Sequence, residues 1–222
     1  MVYQPREVFL VSISIAARRI NANRSTILNR LSLWALPALL LLFALPLHAS
    51  DARQTATSLC AACHGPDGNS SDPTYPKIAG MDAGYLAMQL RYFASGQRRN
   101  DIMAAIIADI RETDILPLAA YFSAQKPLPG KVKDARLAEL GKQIYEDGNT
   151  ETGVPACAGC HQSSGAGNAR FPRLAGQHQA YTLQQLGEYK SGRRATDRSM
   201  VSVAQRLSTD EMKALAEYIA GL

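Results

Sequence analysis

The sequence predicts an all-α protein in which one small helical bundle occurs twice in tandem. Three observations predict it. Blocks of residues return at an offset of 96 or 97. The last apolar segment of each copy follows helical spacing: Ile115, Leu118, Ala119 and Phe122 in one, Met212, Leu215, Ala216 and Ile219 in the other. No long alternating run of β-branched residues appears, so no substantial sheet is expected.

Taken in order, the chain opens with a segment unlike the rest. Leu31–Leu47 is a run of 17 residues without a charge, preceded by Arg24 and Arg30 and followed by His48-Ala49-Ser50. A basic flank, an apolar stretch and a small exit residue describe a secretory signal peptide, so residues 1–49 are expected to be removed after Ala49. The competing reading is a retained membrane anchor. Pro37 and Pro46 interrupt the run and few charges follow it, which argues against that reading.

The mature chain divides into residues 50–126 and residues 134–222, joined by a linker at 127–133 whose Pro and Gly carry no periodic pattern. Asp51–Cys60 and Asp134–Glu146 read as first helices, Ala83–Ala94 and Gln179–Lys190 as second helices that stop at Ser-Gly. Thr113 and Ser208 stand where the N-caps of the last helices belong, and Ser208 with Glu211 forms a capping box. Pro117 then falls in a first helical turn, where a missing N–H costs least. Gly65–Pro76 and Gln162–Pro172 are loops with little to fill an interior. Domains of this size bury a limited core, so something other than side chains should complete it.

Charge excludes one class of function. The formal net charge is +5, but residues 1–49 contribute five Arg against Glu7, leaving 19 basic and 18 acidic residues. Without a basic stripe, nucleic acid is not an expected partner. The first domain carries 7 basic and 8 acidic residues, while the second, counted from Lys131, carries 12 and 10.

All four Cys lie in two copies of one motif, Cys60-Ala-Ala-Cys63-His64 and Cys157-Ala-Gly-Cys160-His161. C-x-x-C-H is the attachment motif of c-type haem. Two thiols on one helical turn can add to two vinyl groups, and the adjoining imidazole then faces the iron. A zinc site does not require His after each Cys pair. A thioredoxin-type motif expects a βαβ context, and a disulfide across two residues closes too little chain to be a useful staple. Two haem c groups are therefore expected, on Cys60, Cys63, Cys157 and Cys160, with His64 and His161 as iron ligands.

The sixth iron position calls for a second ligand, and thioether sulfur is a common one. Met81, Met88 and Met212 align with Gln177, Gln184 and Ile115, so the repeat does not preserve them. Met103 and Met200 align with each other, each 39 residues after its His. Both are expected distal ligands. His178 aligns with Asp82 and is expected to be an exposed residue near a helix start. A ligating His usually gives its second ring N–H to an acceptor. The carbonyls of Pro76 and Pro172, 12 and 11 residues on, are assigned that role.

With these motifs, and with Pro-x-[Leu/Ile]-Ala-Gly at Pro76–Gly80 and Pro172–Gly176, the chain from about residue 52 onward resembles the dihaem cytochrome c4 family. The resemblance implies two tandem class-I cytochrome c domains related by a pseudo-twofold axis, with haem propionates approaching at their interface. It also implies a periplasmic protein, soluble or loosely membrane-associated, that carries electrons to a terminal oxidase; the expected partners are redox proteins, a membrane respiratory complex and a terminal oxidase, and a monomer is expected. Glu146–Pro155 departs from the pattern, having no counterpart before Cys60.

Two function classes follow. In the first, both irons have six protein and porphyrin ligands, and the protein is an electron carrier rather than an enzyme. In the second, it is a dihaem redox enzyme or the electron-transfer subunit of a larger oxidoreductase. The matched Met pair argues against an open catalytic iron, and the subunit reading survives. Surface charge favours a higher potential at the second haem, to a modest degree because of screening.

Overall fold

The computed structural model describes residues 47–222. The segment expected to be a signal peptide lies outside the described residues up to residue 46. Among those described, no helix is long and apolar enough to cross a membrane. Among the described residues the only strand-like pairing is an isolated bridge between Asn149 and Val154.

The first helical stretch is longer than expected. Helix α1 (Leu47–Thr55) continues through a π-helical turn at Ala56–Cys60 into α2 (Ala61–His64). The hydroxyls of Thr57 and Ser58 donate to the carbonyls of Arg53 and Gln54, at 2.9 and 2.8 Å. They compete there with the backbone N–H groups, and the helix widens at the turn that carries Cys60. Then follow α3 (Ala83–Ala94), α4 (Asp101–Ala108) and α5 (Glu112–Ser123). The second copy runs α6 (Ala135–Asp147), α7 (Ala158–His161), α8 (Gln179–Lys190), α9 (Arg198–Arg206) and α10 (Thr209–Gly221).

The periodic faces of α5 and α10 are buried as the spacing predicts. Ile115, Leu118 and Phe122 pack with Tyr85 and Leu86 of α3, with Ala52 of α1 and with Ala56 of the π-helical turn. Met212, Leu215 and Ile219 pack with Ile144 and Tyr145 of α6 and with Val154. The Ser208–Glu211 capping box is present. Thr113 is not a cap: the N-cap of α5 is Arg111, two positions earlier, and it makes no side-chain cap. Arg111 instead pairs with Asp114 and Asp51, at 2.6 and 2.8 Å, and the acids of the first turn favour that helix end. Pro117 consequently stands in the second turn, inside the helix, where its missing N–H leaves the Thr113 carbonyl without its helical donor.

The linker forms no regular element but is held at many points. Asn69 bonds the Lys126 carbonyl and the Leu128 N–H, at 3.0 and 2.8 Å. Glu217 accepts from the Lys133 N–H at 2.8 Å. Gly80 and Gly176, which end the two Ala-Gly repeats, have φ of +64° and +75°. A β-carbon on Gly80 would come within 2.8 Å of Pro127 and one on Gly176 within 2.9 Å of the Leu128 carbonyl. The repeated glycines therefore let one linker lie against both domains.

The Glu146–Pro155 extension is tied back by Asn149 to Glu211, at 2.7 Å, and by Arg206 to the Gly153 carbonyl, at 2.6 Å. Helix α6 crosses α10 so closely that a β-carbon on Gly141 would land on the Ala214 carbonyl. Backbone cannot give way as a flexible side chain can. Gly141→Ala should destabilise the second domain by about 1–3 kcal/mol, the usual cost of overpacking. A lowered guanidinium midpoint by circular dichroism checks this, and an unchanged midpoint would contradict the close crossing.

Candidate haem sites

Each CxxCH motif forms one short turn, α2 or α7, and the chain leaves it through a left-handed residue. That residue is Gly65 at φ +79° in the first copy and Gln162 at φ +69° in the second. A non-glycine residue there needs support. Gln162 has it, since its carbonyl accepts from the Tyr145 hydroxyl at 2.7 Å and its side chain donates to the Gly167 carbonyl at 2.9 Å. No disulfide joins the four Cys.

Both histidines meet the acceptors assigned from sequence. His64 Nδ1 lies 2.9 Å from the Pro76 carbonyl and His161 Nδ1 lies 3.0 Å from the Pro172 carbonyl. A carbonyl can only accept, so the proton is on Nδ1 and Nε2 keeps its lone pair. Burial holds both imidazoles below the usual histidine range, outweighing the opposite pull of the proline carbonyls. Both are thus kept neutral, the form that binds a metal.

Sequence reading did not place the helices that carry Met103 and Met200. They are α4 and α9, and each Met is the third residue of its helix. Asn100 Oδ1 accepts from the Met103 N–H and Asp197 Oδ1 from the Met200 N–H, both at 2.9 Å. The signal was available: Asn100 and Asp197 are strong N-capping residues at equivalent places. Met81 and Met212 lie in the two hydrophobic cores.

One cavity of about 740 Å³ runs through both domains. Cys60, Cys63, His64 and Met103 line it from one side. Cys157, Cys160, His161 and Met200 line it from the other. The walls are mostly aliphatic and aromatic, as a flat apolar macrocycle requires.

Between the two sets lies a seam built from repeated residues. Arg98 donates to Gln89 of its own domain, at 2.8 Å, and across the seam to Tyr181 and Gln185, at 2.8 and 2.9 Å. Its equivalent Arg194 donates to its own Gln185, at 2.6 Å, and across the seam to Tyr85 and Gln89, both at 3.0 Å. Each guanidinium also lies 4.6 Å over an equivalent ring, Phe93 or Tyr189. Burial raises the Tyr85 phenol. Burial also pushes Tyr181 upward, but Arg98 and Arg194 outweigh it and hold that phenol low.

Two further seam contacts are unpaired in the repeat. Gln177 exchanges two bonds with the Lys77 backbone, at 2.9 and 2.8 Å. His178 is not the exposed residue expected: its Nε2 lies 2.9 and 3.0 Å from the Ser70 hydroxyl and carbonyl. Where Asp82 caps α3, His178 makes no side-chain cap and reaches the other domain instead.

The residues present fit haem. Among the described residues, neither Arg98 nor Arg194 is within ion-pair distance of a carboxylate, and Arg194 is 5% exposed. The Nε atoms of Arg173 and Arg194 are buried without a partner. Such cations in a cavity wall call for an anionic occupant, and haem carries carboxylates.

Comparison with known proteins agrees. The family model for cytochrome c matches residues 49–121 and 138–222. Cytochrome c4 of Thiocapsa roseopersicina is 43% identical over 172 residues, spanning 75% of this chain and 88% of that protein. The thiosulfate dehydrogenase electron acceptor of Thiomonas intermedia is 36% identical over 167 residues, spanning 72% of this chain and 77% of that protein. The crystal structure of reduced recombinant cytochrome c4 from Pseudomonas stutzeri superposes with a TM-score of 0.74 at 38% identity, covering 78% of this chain and 98% of that one. The chain therefore belongs to the cytochrome c4 family, as a helical electron-transfer cytochrome with haem c covalently attached in each of its two cytochrome c domains.

Proposed function

We propose that the protein is a periplasmic electron carrier whose two haem irons are each held by one His and one Met. The reading assigns thioether links to Cys60, Cys63, Cys157 and Cys160, and axial ligation to His64 with Met103 and His161 with Met200. It places one haem in residues 50–126 and the other in residues 134–222. Haem c supplies a one-electron ferric–ferrous couple when bound.

The observation that carries this reading is the duplicated ligand geometry. Both imidazoles are fixed as the Nδ1–H tautomer by a proline carbonyl, and both methionines sit at the third position of a capped helix on the same cavity. Two filled axial positions leave none for oxygen or peroxide, which favours a carrier over an enzyme. The partners are then redox proteins: a membrane respiratory complex as donor and a terminal oxidase as acceptor, met by a soluble or loosely membrane-associated monomer after export. A second reading, favoured by the Thiomonas intermedia relative, makes this chain the electron acceptor of a thiosulfate-oxidising enzyme. Reduction of the purified protein by such an enzyme with thiosulfate, against oxidation by terminal-oxidase membranes, separates the two.

Intact mass of protein purified from the periplasm should equal the chain from residue 50 plus two haems. One haem or none would refute the attachment assignment. The same preparation should contain no tryptophan, since Trp34, the only one, lies within the segment expected to be removed.

The oxidised protein should show a near-infrared charge-transfer band from methionine ligation. Met103→His and Met200→His should each remove about half of it and lower one midpoint potential, because loss of the thioether disfavours the ferrous state. A band of full intensity in either variant would exclude that methionine as a ligand.

A further inference from the structure

The repeat makes Lys77 and Arg173 equivalent: each follows the proline whose carbonyl holds the proximal His. Their side chains have different fates. The Lys77 ammonium donates to the carbonyls of Leu128 and Pro129, both at 3.2 Å, and is held against the linker. Arg173 forms no hydrogen bond or ion pair with any described residue, although its Nε is shielded from water. It lines the same cavity as His161 and Met200. Arg98 and Arg194, by contrast, already spend their terminal nitrogens on the seam.

A guanidinium whose Nε–H is buried without an acceptor is costly unless an anion meets it. Its planar fork suits a carboxylate better than an ammonium does. We propose that Arg173 is the counter-charge of a haem propionate in the second domain, a role its equivalent Lys77 has given over to binding the linker.

The consequence is an asymmetry built into a duplicated fold. A fixed positive charge beside one haem disfavours its ferric state and raises its potential. It also keeps the propionate ionised across the ordinary pH range, so that midpoint stays flat with pH. The inference rests on the two-haem reading above. Failure of that reading would appear as missing haem mass, a separate result.

Spectroelectrochemical titration of the holoprotein between pH 5.5 and 8.5 tests it, using wild type, Arg173→Gln and Arg173→Lys. The step belonging to the second haem is identified as the one displaced in Met200→His. Arg173→Gln should lower that midpoint, leave the other unmoved, and make the lowered one fall further as pH rises while the propionate ionises. Arg173→Lys should restore most of the midpoint and its flatness. An unmoved second midpoint, an equal shift of both, or a shift confined to the first haem would overturn the assignment. Should Arg173→Gln not mature, Arg173→Met decides in its place: a lowered, pH-dependent second midpoint supports the role, and one near wild type and flat with pH excludes it.

Discussion

Charge without a carboxylate governs how this molecule is assembled. Arg98 and Arg194 sit at the seam between the domains, and the protein offers them phenols, amides and aromatic faces rather than acids. These groups orient a guanidinium without neutralising it. The cavity behind them therefore favours a ligand that brings its own carboxylates. The same residues fix the domains face to face, so the cavity wall and the domain pairing share one set of contacts.

Much of this was legible in the sequence. The CxxCH copies, the equal His-to-Met spacing and the paired Pro-x-[Leu/Ile]-Ala-Gly blocks pointed to the sites, and the apolar faces of α5 and α10 to the two cores. The blocks holding Tyr85 and Gln89, and Arg98 and Arg99, were visible as repeats, yet their purpose was not. Periodicity reports which face is buried within a domain. It does not report that two polar blocks from different copies will meet, because that contact depends on how the domains pair.

The misjudged positions have similar causes. Thr113 looked like a cap by residue type, but the pairing of Arg111 with Asp51, 60 residues away, draws the N-cap back to Arg111. His178 looked free because it lacked an equivalent in the first copy. Its partner, Ser70, lies in the other domain. In both cases a long-range partner overrode a local signal. The helices bearing Met103 and Met200 were missed for the opposite reason: their caps were plain, but eight or nine residues give periodicity little to work on.

The linker has a kinetic meaning as well as a structural one. A short tether turns the meeting of two separate proteins into an intramolecular event, with an effective concentration on the order of millimolar. A seam of a few hydrogen bonds, too weak to hold free partners together in dilute solution, then suffices to keep the domains paired. It also means that a seam opened by a passing fluctuation recloses without diffusion having to find the partner again. Fusion of the two domains thus permits a polar interface, where separate chains would have needed a larger and greasier one.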